Sequence, residues 1–337
     1  MTRIKDKVLY SYLACMFALQ FKAKGTPLVK SEIPEPKPAR GEVSVRLAAA
    51  AYNRRDFWIQ QGLYPNVQYP VIPGGDAAGT VDGREVVIDA GIGWGTNRRV
   101  QSDGYYLIGS PGQGTFAQHI CVPEENIYNK PPHLTLTEAA ALPVAGVTAY
   151  RALIYRGQAS PGERLLVTGA GGGVALTAVQ FGLAHGMEVF VTSGSDEKIT
   201  RAKELGASGG ANYKGQEWEK ALKSQAGGFD VIIDSAGGDG FSKLLKLCNP
   251  AARIVSYGGS LGKVNGLSPQ HLFWRQISIH GTSMGSPEDF SEMLAFVEKH
   301  KIKPVIDSTY SFENANEGID VLSKGTQFGK LILEIPG

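Results

Sequence analysis

The sequence contains few cysteines, and they are too far apart to suggest a disulfide framework. Only three occur in 337 residues, Cys15, Cys121 and Cys248, and none belongs to a C-x-x-C pair. Proteins that depend on disulfides carry more cysteines, in pairs, and they function in oxidising compartments. The sequence therefore predicts a protein without disulfides in a reducing compartment, and we expect the cytoplasm.

Long runs of like charge and long hydrophobic runs are also absent. The 34 basic and 32 acidic residues give a net charge of +2, so we expect no binding to nucleic acid or to an anionic membrane. No hydrophobic run is long enough for a membrane-spanning helix. Residues 1–13 are mildly basic, and they leave mitochondrial targeting as the alternative to the cytoplasm. A small molecule is the expected partner.

The histidines show no pairing at the spacing of metal ligands. A structural or catalytic zinc site needs a close group of cysteine, histidine or carboxylate side chains. A structural role is the more ordinary one for each isolated histidine, and the sequence predicts no metal site. The six residues are His119, His133, His185, His271, His280 and His300.

Residues 163–198 contain the clearest functional motif of the chain. A short apolar run at residues 165–168 ends in a glycine cluster at residues 169–173, after which apolar residues recur at helical spacing. A second strand is predicted at residues 188–192. Strand, glycine turn, helix and strand in this order are typical of a dinucleotide site, where a pyrophosphate lies against the N-terminus of the helix. The turn departs from the plain G-x-G-x-x-G pattern, so a flexible surface loop is the alternative interpretation of the glycines alone.

The order of the predicted elements indicates an α/β protein of two domains. Residues 14–130 read as mainly β-strands, whereas the chain after the glycine turn alternates between strands and helices. Such alternation predicts a doubly wound parallel sheet. We predict a first domain at residues 1–137, to which residues 305–337 return, and a cofactor-binding domain at residues 138–304.

Residues 51–81 are predicted as loops rich in polar and aromatic groups. Asn53, Asp56, Trp58 and Tyr64 lie here, and loops on a rigid scaffold carry most binding groups. The alternative is that the two aromatic residues only pack and that Asp56 caps a helix.

The end of the second strand indicates which nicotinamide cofactor is bound. Enzymes that use NAD place a carboxylate there, on the ribose 2′-hydroxyl. Ser193 and Ser195 stand here instead, with Lys198 and Arg201 after them, so a 2′-phosphate meets no repulsion at the strand end. We predict NADP(H). The alternative is that the two basic residues belong to the solvated face of a helix.

A series of short motifs follows in a specific order along the chain. They are PEPKPARGEVSVRL, YNRRD, GLYP, PGGDAAGTV, GTFAQHICVPEENI, AALPVAGVTAYRAL, GGGVALTAVQF, AKELGA, NY, FDVIIDSAGG and FGKLILEI. Together they resemble the medium-chain dehydrogenase/reductase superfamily, in its zinc-independent quinone oxidoreductase-like branch, over roughly residues 14–337. The resemblance implies a GroES-like β domain and a Rossmann domain, with cofactor and substrate in the cleft between them.

The resemblance also implies roles for single residues. Asn53 and Thr148 are expected near the nicotinamide and Tyr64 near the substrate, where it or solvent supplies a proton. The implied cofactor-binding residues are Gly171, Gly172, Gly173 and Val174 at the pyrophosphate, and Ser193, Lys198, Tyr213 and, as a further candidate, Lys330 at the 2′-phosphate ribose. Trp58 stands where quinone reductases tend to carry tyrosine, which leaves the shape of the substrate pocket open.

Zinc-dependent members of the superfamily hold a catalytic metal with a cysteine, a histidine-glutamate pair and a second cysteine. The corresponding places here are Asn53, Gly75-Asp76 and residues 143–145, and none supplies a thiolate or an imidazole. The implied activity is therefore NADPH-dependent reduction of a quinone or an α,β-unsaturated carbonyl without zinc. The alternatives are a zinc-free carbonyl or enoyl-thioester reductase and a non-catalytic NADPH-binding protein. A homodimer is expected.

Overall fold

A computed structural model describes residues 14–337 of the chain. The basic segment at residues 1–13, on which the mitochondrial alternative depends, lies outside the described residues. The first part of the chain forms short antiparallel strands and one helix. The elements are β1 (Cys15–Phe21), β2 (Leu28–Pro34), β3 (Glu42–Ala51), α1 (Arg54–Gln60), β4 (Asp76–Val81), β5 (Arg84–Ile88), β6 (Gly91–Ile92), β7 (Tyr106–Leu107), β8 (His119–Pro123) and β9 (Ile127–Asn129).

The prediction of loops throughout residues 51–81 is wrong at two places. Helix α1 begins directly after Asn53, and β4 begins at Asp76. The Asp56 carboxylate accepts a hydrogen bond of 2.7 Å from the Asn53 backbone N–H, so the alternative that Asp56 caps a helix is confirmed. The helix has only seven residues, which is too short for a clear apolar periodicity.

The second part of the chain alternates between strands and helices. Its elements are α2 (Leu136–Ala140), α3 (Pro143–Tyr150), β10 (Arg164–Val167), α4 (Gly173–Ala184), β11 (Glu188–Ser193), α5 (Asp196–Glu204), β12 (Gly209–Asn212), α6 (Trp218–Ala226), β13 (Phe229–Asp234), α7 (Phe241–Leu247), β14 (Cys248–Ser256), α8 (Pro269–Arg275), β15 (Ser278–Gly281) and α9 (Pro287–His300). A π-helical turn at residues 151–156 extends α3. The six strands are parallel, in the order β12-β11-β10-β13-β14-β15. The predicted doubly wound Rossmann sheet is confirmed.

The C-terminal segment returns to the first sheet. It forms β16 (Ile306–Tyr310), α10 (Ala315–Lys324) and β17 (Lys330–Glu334). The resulting seven-stranded sheet has the order β16-β17-β3-β4-β5-β9, with β8 on β3. In this sheet β17 is antiparallel to β3, and Ile332 pairs with Ala51. The pairing brings the start of β17 beside the loop that precedes α1.

The two sheets share a continuous apolar core, and the buried Asp289 carboxylate of α9 also binds Arg98 from the first part of the chain at 2.8 Å. Ala49 and Ala51 of β3 belong to the same core cluster as Val167 of β10. Arg151 donates to the Asp289 carboxylate of α9, and both side chains are almost fully buried. None of the helices within residues 14–337 is long and apolar enough to cross a membrane.

Candidate functional site

The glycine turn leaves the N-terminus of α4 open to a ligand. Gly171 has φ +128°, which side chains rarely adopt, and a Cβ added there would lie 2.8 Å from Lys198. A Cβ at Gly173 would lie 2.7 Å from the stem of Lys330. Gly172 caps the helix, and the nearest atom to a Cβ added there is 3.9 Å away. Free backbone N–H groups at a helix N-terminus bind anions, so the turn fits a dinucleotide pyrophosphate.

A cleft of about 770 Å³ opens beside this turn. It lies at the carboxyl ends of β10, β13 and β14, next to the point where the strand order reverses, which is where ligands bind in open α/β sheets. Gly172, Gly173 and Val174 form one wall. The other lining residues include Asn53, Arg54, Trp58, Ala145, Ser235, Tyr257, Gln327 and Lys330. The walls therefore come from both domains.

Lys330 was a further candidate for binding the 2′-phosphate ribose. Its ammonium lies instead in a buried polar network at the cleft floor. Its ammonium donates to the Asp76 carboxylate at 2.7 Å, to the Asn53 side-chain oxygen at 2.8 Å and to the Tyr52 carbonyl at 2.9 Å. The Asn53 amide in turn donates to Asp76 at 2.8 Å. The second Asp76 oxygen accepts from the Val144 backbone N–H at 2.7 Å. The network fixes Asn53 and ties the two domains together at the cleft floor.

A second pocket, of about 510 Å³, lies on the other side of the glycine turn. Ser193 and Tyr213 line it, as does Lys198, whose ammonium donates to the Gly325 carbonyl at 2.8 Å. Ser193 is buried, and its hydroxyl donates to the Ala170 carbonyl at 3.0 Å. The three residues predicted to bind the 2′-phosphate ribose are therefore brought together.

Sequence reasoning missed two further lysines in this pocket. Lys214 follows β12 and Lys324 ends α10, and both line the pocket with Lys198. Glu197 is the carboxylate among the lining residues. Burial lowers the pKa of Lys198, since removing the ammonium from water disfavours its charge. Neither lysine belongs to a motif, so no local signal marks them.

Of the three catalytic candidates, Asn53 lines the cleft, whereas Tyr64 and Thr148 do not. The Thr148 hydroxyl is buried on α3, 3.7 Å from the Met284 sulfur. Tyr64 is half-buried against the core of the first domain, and its ring centroid lies 4.7 Å from the Arg55 guanidinium carbon. Arg54, which sequence reasoning missed, lines the cleft and donates to the Leu322 carbonyl.

The donor set at the cleft floor does not fit a catalytic zinc. Asn53, Gly75 and Ala145 offer no thiolate or imidazole. The Asp76 carboxylate is engaged by Lys330, Asn53 and Val144. Within residues 14–337, no three side chains of histidine, cysteine, aspartate or glutamate cluster in a way that suits a metal ion.

Comparisons with known proteins agree with this architecture. Residues 39–132 match the family model described as alcohol dehydrogenase GroES-like domain, and residues 173–299 match zinc-binding dehydrogenase. The zinc-type alcohol dehydrogenase-like protein YogA of Leptosphaeria maculans is 37% identical, over 93% of this chain and 97% of its own length.

Two solved structures have the same fold over nearly the whole chain. An NAD-dependent alcohol dehydrogenase is 35% identical with a TM-score of 0.89, over 95% of this chain and 100% of that one. The quinone oxidoreductase of Thermus thermophilus, solved also as a complex with NADPH, is 29% identical with a TM-score of 0.79, over 95% of this chain and 100% of that one. The chain therefore belongs to the medium-chain dehydrogenase/reductase superfamily, among relatives that include the quinone oxidoreductases.

Proposed function

We propose that the protein is an NADPH-dependent reductase of quinones or α,β-unsaturated carbonyl compounds and that it works without zinc. Membership of the superfamily makes it an oxidoreductase with a nicotinamide cofactor. The choice of NADPH, the acceptor and the independence from zinc are our proposal.

The observation that carries the proposal is the charge of the pocket beside Ser193. Lys198, Lys214 and Lys324 line it against the carboxylate of Glu197. A phosphate monoester carries close to two negative charges at neutral pH, so this group of lysines favours a 2′-phosphate over a free hydroxyl. The NADPH complex of the Thermus quinone oxidoreductase supports this choice, whereas the NAD-dependent relative makes a direct test necessary.

The cleft supports reduction of a conjugated acceptor. The cofactor supplies a hydride, and a conjugated carbonyl or quinone spreads the resulting negative charge onto oxygen, so positioning and hydrogen bonds are sufficient for catalysis. We assign Asn53 to the nicotinamide end of the cleft, where Lys330 and Asp76 fix its amide. Thr148 lies on α3, the helix that brings Ala145 to the cleft, and Tyr64 or solvent supplies the proton. No metal has a role, since the donor set at Asn53, Gly75 and Ala145 does not suit one.

The test is an NADPH oxidation screen across quinones, enones, enals and enoyl thioesters, with NADH run in parallel. We expect turnover of at least one quinone or enone with NADPH. Selective turnover of enoyl thioesters would favour the alternative reductase, and tight NADPH binding without any turnover would favour a non-catalytic cofactor-binding protein.

We also propose a homodimer formed through the β15 edge of the Rossmann sheet. The edge strand is short, and beside it Trp274 of α8 is 83% exposed and Phe273 is 61% exposed. An open sheet edge with exposed aromatic side chains favours association, and a two-fold axis lets one edge pair with its own copy. Trp274→Asp should shift the sedimentation coefficient from dimer to monomer. We propose the cytoplasm as the compartment in which the protein functions.

A further inference from the structure

An arginine is buried beneath the cleft floor without a carboxylate partner. Arg55 of α1 is 8% exposed, and its guanidinium donates to the carbonyls of Ile108 and Ser110. None of the ion pairs among residues 14–337 includes it. The neighbouring Asp56 carboxylate interacts electrostatically with Arg55 but forms no ion pair with it. Instead it accepts hydrogen bonds from the backbone N–H groups of Asn53 and Gly74. A buried cation held in this way is suited to an anionic ligand.

Three buried polar atoms in this region lack a hydrogen-bond partner within the described residues. They are Arg55 Nε, the Tyr105 hydroxyl and the Ser110 Oγ. Ser110 is 3% exposed, and its own carbonyl accepts from Arg55 at 3.5 Å. The Tyr105 hydroxyl interacts electrostatically with Asp89 and Tyr64 and with the Arg55 guanidinium. Unpaired buried donors cost free energy, and one such donor on the guanidinium itself with two on neighbouring residues indicates a ligand site.

Glycine at position 75 connects this group to the cleft floor. A Cβ added to Gly75 would lie 3.2 Å from Arg55 Nη1. The next residue, Asp76, bonds to Asn53 and Lys330, which both line the cleft. Gly75 therefore lies between the guanidinium and the network at the cleft floor, and a side chain at this position would contact the guanidinium.

We propose that Arg55, with the hydroxyls of Tyr105 and Ser110, binds the carbonyl oxygen of the acceptor and stabilises the charge that gathers on it. This inference rests on the proposed function. When hydride adds to the β-carbon of an enone, a carbon–hydrogen bond forms there and the alkene electron pair shifts towards the carbonyl. The oxygen becomes an enolate anion, and a proton later added at the α-carbon restores the carbonyl. Donors aimed at such an oxygen act mainly in the transition state.

Tyr105→Phe is the most direct test, since the hydroxyl it removes bonds to no described residue. We expect an unchanged or higher thermal midpoint together with a fall in kcat on the order of 10²-fold and an unchanged NADPH affinity. Tyr106→Phe is the matched control, because that neighbouring side chain is exposed. Gly75→Ala should also lower turnover, because its methyl group meets the guanidinium, while the backbone there has no positive φ and accepts alanine.

Equilibrium binding of para-nitrophenol to the NADPH-saturated protein tests the site without turnover. The phenolate resembles an enolate, and its absorbance reports the ionised form. We expect the wild type to bind para-nitrophenol as the phenolate anion and Tyr105→Phe to weaken this binding about tenfold. Arg55→Gln should abolish the binding, whereas Arg55→Lys should retain part of the phenolate affinity.

The outcomes separate this site from the proposed function. If Tyr105→Phe and Gly75→Ala both keep wild-type turnover and phenolate affinity, the oxygen site is refuted. The same conclusion follows if phenolate does not bind, or binds regardless of Arg55. If the wild type reduces no acceptor in the screen but binds phenolate through Arg55, the proposed function fails and the site stands.

Discussion

The choice of cofactor can be tested by one substitution at the end of β11. Ser193 is 3% exposed and lines the pocket that contains Lys198 and Tyr213. The carboxylate of Ser193→Asp has no proton to donate, so the 3.0 Å hydrogen bond to the Ala170 carbonyl is lost, and the carboxylate would face the predicted 2′-phosphate. The variant restores the residue type that NAD enzymes place at this position.

The expected effect follows from Coulomb's law. Two unit charges at ~4 Å repel by ~1 kcal/mol in water and by ~4 kcal/mol at an effective dielectric constant of ~20. The pocket is open on one side, so an intermediate value of about 3 kcal/mol is reasonable. Since ~1.4 kcal/mol corresponds to tenfold in affinity, NADPH binding should weaken by roughly 10²-fold, while NADH binding holds or improves.

The assay is fluorescence titration of NADPH and NADH against the wild type and the variants. Ser193→Asn is the matched control, because it has the size of aspartate without the charge. Lys198→Ala should weaken NADPH binding more modestly, since a partly exposed lysine is screened by solvent and salt. Equal affinity of the wild type for both cofactors, or a Ser193→Asp variant that still prefers NADPH, would refute the reasoning.

Three further predictions concern the proton source, the metal and a buried carboxyl. Tyr64→Phe should lower turnover ~10²-fold if its hydroxyl supplies the proton, measured by steady-state kinetics; unchanged turnover in the folded variant would assign the proton to solvent. The purified protein should contain no stoichiometric zinc and keep its activity in a strong chelator, because Asn53, Gly75 and Ala145 cannot ligate a metal; one tightly bound zinc per chain in metal analysis would contradict this. Burial raises the pKa of Asp89 to about 7, above its unfolded value of ~3.9, so its contribution to stability is complete below about pH 4 and is lost as the pH rises through about 7. Asp89→Asn should therefore raise the free energy of unfolding at pH 8 by a few kcal/mol and leave it nearly unchanged at pH 4, measured by urea denaturation; the same difference at both pH values would refute the assignment.

Several features could be predicted because their signals are local. The strand predicted at residues 188–192 is β11, which spans Glu188–Ser193. The capping box of α2 depends only on residues three apart, with the Glu138 N–H donating to the Thr135 hydroxyl at 3.1 Å. The glycine turn before α4 follows from backbone conformations that other residues rarely adopt. In each case, neighbouring residues decide the structure.

The sequence by itself determined the order of strands, glycine turn and helices, and through it the Rossmann sheet. Only the tertiary structure decided what lies around the cofactor and the cleft. Lys330 bonds to the carbonyl of Tyr52, 278 residues away in the chain, because β17 pairs with β3. Lys214 and Lys324 meet at one pocket from separate segments, and Arg55 of α1 lies beside Gly75, which precedes β4. Such contacts depend on strand pairing and packing between distant segments, for which a single sequence carries no local signal.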